Sequence, residues 1–416
     1  MHGLIRMTGN PRFAYDCARR LTESYATTVC GLAAKVLDDA LDRIKHSENV
    51  TAERDLDGEA LGRLVTAYHD ALAEADLVLP DDPMEQLVGA ARAVYRSWMS
   101  ARARTYRTIE KLEHLRGTAV LVQAMVYGNR NLRSGAGVVF SRDPSSGPRS
   151  PVIEMVFGAQ GEDVVSGRRT PESEATIKAV LPDLLPELGD VLTRLERAFK
   201  DIQDVEFTIE DSRLWILQTR AAKRTPRAAL RFAIDLVSEG LISKDEAVKR
   251  LDGLDLDLLT RTRFAEPGEP TASGIAASNG VAVGRAAFSA EAAARLAADG
   301  NSVILLRPET STADIAGFAA ATGIVTAIGG RTAHAALVAR QMGKPCIVGC
   351  ATLAIAPDEQ HATIADAALT EGDWLSVDGD SGAIYLGKRT VVSERPQAEI
   401  DQVKRWRSAG LTTTIV

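Results

Sequence analysis

The sequence predicts a multidomain chain of mixed α/β (α+β) class. Three observations carry that prediction. At 416 residues the chain has length for two to four domains. Its first hundred residues carry apolar positions at helical spacing, and at Gly117 the pattern changes to short apolar runs between glycine turns. The polar stretch Pro267-Gly268-Glu269-Pro270-Thr271-Ala272-Ser273-Gly274 then marks a domain boundary, with short β-like runs beyond it.

Composition narrows the class. Hydrophobic residues make up 45% and charged residues 25%, which suits a globular chain. A net charge of −7 argues against a nucleic-acid partner. No apolar run is long enough to cross a bilayer, and Met1-His2-Gly3-Leu4-Ile5-Arg6 lacks a signal-peptide core. Cys17, Cys30, Cys346 and Cys350 form no CxxC pair, so a reduced, cytoplasmic protein without a cysteine metal site is expected.

The elements follow in order. Helices are predicted over 14–37, over 57–75 with Leu61, Leu64, Val65, Tyr68 and Leu72 on one side, and over 84–99. Arg96, Arg102, Arg104 and Arg107 form a basic cluster that reads as a solvated face. Thr118 to Val126 has the pattern of a buried strand. Further strands are expected after Ser134 and over 151–157, leading into Gly158-Ala159-Gln160-Gly161-Glu162-Asp163. Pro186 starts an amphipathic helix over 187–200.

That helix delivers the chain to a hairpin. In Asp204-Val205-Glu206-Phe207-Thr208-Ile209-Glu210 the apolar residues point one way and the polar ones the other. Asp211-Ser212-Arg213 turns the chain into Leu214-Trp215-Ile216-Leu217-Gln218-Thr219-Arg220. Asp204 and Glu206 on one strand, with Gln218 and Arg220 on the next, converge on one face. Such a set suits Mg²⁺ and nucleotide phosphates, and it equally suits an exposed face of ordinary charge pairs. Two helices, 228–239 and 243–251, precede the boundary, and a last hairpin spans 374–387. Residues 391–416 read as a charged tail with a helix around 400–407.

The strongest chemical signal is Gly329-Gly330-Arg331-Thr332-Ala333-His334-Ala335-Ala336-Leu337-Val338-Ala339-Arg340, closed by Gly343-Lys344-Pro345. Apolar runs flank it, so it reads as strand, glycine turn, helix, strand. With Thr332 as N-cap, His334 falls in the first helical turn. Free N–H groups and the helix dipole there favour neutral imidazole and would bind a phosphate on the ring. Arg331 adds a cation beside it. A phosphoryl-accepting histidine needs this environment; a histidine that only packs is the plain alternative.

These residues resemble the phosphohistidine segment of phosphoenolpyruvate-utilising enzymes. Gly9-Asn10-Pro11-Arg12-Phe13-Ala14-Tyr15-Asp16, Val122-Gln123-Ala124-Met125-Val126, Ala159-Gln160-Gly161-Glu162-Asp163-Val164-Val165, Gln203 to Glu210 and Leu217-Gln218-Thr219-Arg220 narrow the resemblance to the pyruvate, phosphate dikinase family. It runs from about residue 5 to 390. It implies a partial ATP-grasp nucleotide-binding domain over 1–226 with a helical insertion near its start. A helical linker over 227–269, a swivelling β/α phosphohistidine domain over 270–390 and a tail over 391–416 would follow.

In that family ATP gives its β-phosphoryl group to histidine and inorganic phosphate takes the γ-phosphoryl group. The histidine domain then moves to a separate barrel where pyruvate becomes phosphoenolpyruvate. The resemblance makes His334 the phosphohistidine, with Arg331 and Thr332 beside it. Gln123 and Met125 would line an adenine pocket and Glu162 would contact nucleotide. Glu206 and Gln218 would hold Mg²⁺–ATP, with Asp204 supporting the metal and Arg220 on phosphate. Arg331 and Ala333 replace the Met and Ser common in the family. The family's N-terminal ATP-grasp lobe and C-terminal barrel have no counterpart here, since a barrel needs about 200 residues or more. The expected partners are therefore ATP, phosphate, pyruvate or phosphoenolpyruvate, and a separate chain supplying missing parts. A binding or regulatory module, or transfer to another small acceptor, are the alternatives.

Overall fold

The computed structural model describes residues 2–100, 103–104, 107–108, 112–165, 169–256, 259–309, 314–331 and 333–411, with backbone alone for 2, 165, 315, 334, 341 and 409–411. Arg102, Ser166, Gly167 and Thr332 lie outside the described residues. The chain forms two compact units, Met1–Met125 and Val126–Val416.

The first unit is helical: α1 (His2–Thr8), α2 (Pro11–Ser24), α3 (Ala34–Ser47), α4 (Gly58–Glu74) and α5 (Pro83–Ser97). Side chains cap the starts, with Asn10 accepting from Phe13 N, Asp57 from Ala60 N and Asp82 from Met84 N. The single helix expected over 14–37 is broken. A π-helical turn, Tyr25–Val29, and Gly31 at φ 77 end it before α3. Leu61, Leu64, Tyr68 and Leu72 of α4 pack on Leu37 and Ala40 of α3, as their spacing requires.

Residues 118–126 depart from expectation. They form no strand, and Leu121, Val122 and Met125 are 85%, 66% and 58% exposed. An apolar run becomes a buried strand only where neighbours cover both its faces, and no described strand pairs with this one.

The second unit opens with an antiparallel four-stranded sheet of β1 (Gly135–Phe140), β2 (Val152–Phe157), β3 (Gln203–Glu210) and β4 (Arg213–Ala221), ordered β2-β1-β3-β4. The helices α6 (Gly161–Val165), α7 (Glu174–Val180) and α8 (Leu184–Phe199) divide between its faces: Val164 of α6 packs with Ala136 and Val138, whereas Val205, Phe207 and Ile209 of β3 face α7 and α8, where Ile177, Leu188 and Leu192 complete a core. On the sheet's other side Val138, Phe140 and Val152 share a core with α9 (Pro226–Ser238) and α10 (Lys244–Arg250). The C-terminal helix reaches from Gln397 to Leu411, longer than the tail pattern suggests. It buries Ile400 and Val403 in the same core.

The histidine region is an eight-stranded sheet. β5 (Arg261–Phe264) leads into β6 (Ala272–Ser273), β7 (Ile275–Ser278), β8 (Val281–Ala287), β9 (Val303–Arg307), β10 (Gly323–Thr326) and β11 (Cys346–Val348). A small sheet, β12 (Leu353–Ile355), β13 (His361–Ile364) and β14 (Ala367–Thr370), precedes the hairpin β15 (Trp374–Asp378) and β16 (Ala383–Leu386). Strands β8, β9, β10 and β11 run parallel in that order. Helices α11 (Ala290–Ala298), α12 (Ile315–Ala320) and α13 (His334–Gln341) supply the crossovers. Ala335, Ala336 and Ala339 of α13 pack on Ile324 and Cys346. β17 (Val391–Glu394) pairs with β5, so the strands entering and leaving this region lie side by side. Among the described residues no helix is long and apolar enough to cross a membrane.

Candidate active site

The β3–β4 hairpin places its polar residues as their alternation requires. Asp204 lies opposite Arg220 and Glu206 opposite Gln218. A bulge at Leu217 shifts the register only beyond Glu206, so both pairs keep the same face. Arg220 Nε donates to Asp204 Oδ2 at 2.7 Å and its Nη2 stands 3.8 Å from Glu206. The Asp204 hydrogen bond, aided by the carboxylate charges, raises the Arg220 pKa.

Among the described residues Asp204 Oδ1 is buried without a hydrogen-bond partner. A buried carboxylate oxygen in that state can accept a donor or a cation. Among the described residues no three His, Cys, Asp or Glu side chains cluster as a metal site. The donor set is two carboxylates and a carboxamide. It fits Mg²⁺, which takes one or two carboxylates and completes its shell with phosphate oxygens and water.

The histidine loop explains its two glycines. Gly329 has φ 118, a backbone conformation that other residues avoid. At Gly330 a Cβ would come within 2.7 Å of Pro171 Cγ and 3.0 Å of Glu154 Oε1. The loop is a turn closed by Ala333 N–H donating to Gly330 C=O at 3.0 Å. His334 is the first residue of α13, and the N-cap is Ala333, which makes no side-chain cap. The expected capping by Thr332 lies outside the described residues.

The Arg331 peptide is held on both sides. Its N–H donates to Glu154 Oε1, and its C=O accepts from Arg340 Nη2. The Arg331 side chain turns elsewhere, with Nε donating to Ala276 C=O at 2.7 Å. It lines a cleft of about 460 Å³ together with Asp143, Glu154, Glu172 and Ile275.

Register ties this loop to the hairpin. Glu154 on β2 lies opposite Val138 on β1, Val138 opposite Glu206 on β3, and Glu206 opposite Gln218 on β4. The four form one row across the sheet and point to one face. Two strand spacings, about 10 Å, therefore separate the Glu154 and Glu206 backbones. The loop that precedes His334 is seated on the face that carries Asp204, Glu206, Gln218 and Arg220.

The other expected residues are exposed. Glu162 is exposed on α6. Gln123 and Met125 belong to the first unit and are exposed. Sequence reasoning passed over Glu154 and Arg340. The signal was present in both: an acid in the middle of the apolar run Val152 to Phe157, and an arginine on an alanine-rich helix.

Residues 300–382 match the mobile domain of PEP-utilising enzymes, and residues 74–184 and 171–239 match the AMP/ATP-binding domain of pyruvate phosphate dikinase. Chloroplastic pyruvate, phosphate dikinase of Flaveria pringlei is 42% identical over 409 residues, 97% of this chain and 43% of that protein. Pyruvate, phosphate dikinase 1 of Arabidopsis thaliana is 40% identical over 98% of this chain and 43% of its own length. Pyruvate, phosphate dikinase 2 of rice is 40% identical over 97% of this chain and 46% of its own length. The chain thus spans less than half the length of these relatives.

Proposed function

For a chain that belongs to the pyruvate, phosphate dikinase family, we propose phosphoryl transfer from ATP to His334 on the β3–β4 face. The observation that carries this reading is the shared row, in which Glu154 seats the His334 loop two strands from Glu206.

In this reading Glu206, Gln218 and the unpaired Asp204 oxygen hold Mg²⁺, which neutralises the polyphosphate when bound. Arg220 contacts a phosphate while keeping Asp204 in place. A neutral His334 nitrogen attacks the β-phosphorus. The bond from that phosphorus to the α,β-bridging oxygen breaks and AMP leaves. The γ-phosphoryl group passes to inorganic phosphate as pyrophosphate, which leaves one phosphoryl group on the imidazole. The N-terminus of α13 and its dipole favour the neutral ring and then the bound phosphate.

The family relationship extends the proposal to pyruvate as the final acceptor, with phosphoenolpyruvate as product. Glu162, Gln123 and Met125 are proposed nucleotide contacts, and Thr332 and Arg331 flank the acceptor. The exposed apolar residues Leu121, Val122 and Met125 support seating of a further segment or chain on 118–126. Intact-protein mass after incubation with ATP, Mg²⁺ and phosphate, kept neutral or alkaline, tests the reading. One added phosphoryl group in the native chain and none in His334→Ala supports it; equal masses reject it.

A further inference from the structure

The geometry points to Arg340 as the positioning residue for His334, one that belongs wholly to the mobile domain. This rests on the reading of His334 as phosphoryl acceptor.

Two groups hold the Arg331 peptide, and they differ in origin. Glu154 comes from the four-stranded sheet, so its bond exists only while the histidine domain is seated there. Arg340 comes from α13 itself, six residues beyond His334. Its Nε back-bonds to Ala336 C=O at 3.1 Å, and its Nη2 reaches past the start of the helix to Arg331 C=O. That direction follows from the tilt of helical side chains toward the N-terminus.

The N-cap residue Ala333 makes no side-chain cap, so among the described residues the path of the loop into α13 depends on such anchors. The turn closed by Ala333 and Gly330 supplies one of them. The Arg340 guanidinium supplies another, in a half-buried position where hydrogen bonds to charged groups are strong. Burial works against its charge and the Glu154 carboxylate works for it. When the domain leaves the sheet, Glu154 stays behind and Arg340 travels with the histidine. Arg340 therefore keeps the acceptor turn in one shape at both ends of the domain's travel.

A small phosphoryl donor separates this role from docking. Phosphoramidate gives its phosphoryl group to an imidazole nitrogen: the new N–P bond forms, the donor's P–N bond breaks, and ammonia leaves with a proton from solvent. Rates of phosphoryl gain are read by intact mass on the full chain across donor concentrations, for native protein, Arg340→Met, Arg340→Lys and His334→Ala. Arg295→Met, on an exposed surface pair of the same domain, is the control. The expected result is a maximal rate about tenfold lower for Arg340→Met at an unchanged half-saturating donor concentration. Arg340→Lys falls between, because the ammonium donates but lacks the planar fork. Arg295→Met matches the native chain. Equal rates for the native, Met and Lys proteins overturn the role of Arg340 and leave His334 as acceptor. If circular dichroism finds Arg340→Met unfolded, a Lys rate equal to the native one overturns it. No phosphoryl gain in the native chain, or an equal gain in His334→Ala, overturns the acceptor reading itself.

Discussion

Glu154 accepts the backbone N–H of Arg331 from a position in the middle of a strand that is otherwise apolar. Glu154 is 2% exposed, so the carboxylate is almost wholly withdrawn from water. A buried carboxylate needs partners, and here they include the loop that leads to His334. The contact reads as a seat for the histidine loop on the four-stranded sheet.

Glu154→Ala removes the acceptor and leaves the Arg331 N–H facing a gap. The expected outcome is ATP-dependent loading of His334 slowed by about tenfold or more, from the loss of one hydrogen bond to a charged group. Glu154→Gln keeps an acceptor oxygen and should fall between. Single-turnover loading, quenched in alkali, checks both.

Gly330→Ala puts a methyl group 2.7 Å from Pro171 Cγ. The close approach between loop and sheet is then blocked, and loading should drop while the histidine domain keeps its own fold. Gly329→Ala acts differently, because φ 118 strains the alanine backbone by roughly 1–3 kcal/mol. Its signature is a lower melting midpoint for the domain. Thermal denaturation beside the loading assay separates the two effects.

Metal dependence should map to the hairpin. Titration calorimetry with Mg²⁺ present and with chelator present should show that Mg²⁺ strengthens ATP binding to the native chain. Glu206→Ala should lose most of that strengthening. A Mg²⁺ effect of full size in Glu206→Ala would move the metal elsewhere.

Much of this site was legible in the sequence, for physical reasons. A strand, double glycine and short helix around His334 follow from local chemistry, and the hairpin face follows from the two-residue alternation of β3. The seat at Glu154 was not legible. Its place in the row depends on β1 lying between β2 and β3, and strand order is a tertiary property. Local pattern also failed at 118–126, where an apolar run pairs with no described strand, and at Tyr25–Val29, where a π-helical turn interrupts a continuous helical spacing. The longer C-terminal helix is set by packing of Ile400 and Val403, which a charged composition hides.

Asp380 predicts a pH effect on stability. Among the described residues its Oδ1 is buried without a partner, and burial raises its pKa although Arg261 lies 3.3 Å away. In the window between the ordinary carboxylate value and the raised folded value, the folded state holds more protons than the unfolded one. Stability from this group therefore falls as pH rises through that window. Urea unfolding at a series of acidic to neutral pH values should show a flatter profile for Asp380→Asn than for the native chain. Parallel profiles would contradict the assignment.

The most direct measurement follows the phosphorus. The chain is incubated with Mg²⁺, phosphate and ATP labelled at either the β- or the γ-phosphorus, and the protein is separated at alkaline pH. Label from the β position should appear on the native chain and vanish in His334→Ala, while label from the γ position should appear in pyrophosphate. Protein that carries the γ label, or that carries none from either position, would contradict transfer from ATP to His334.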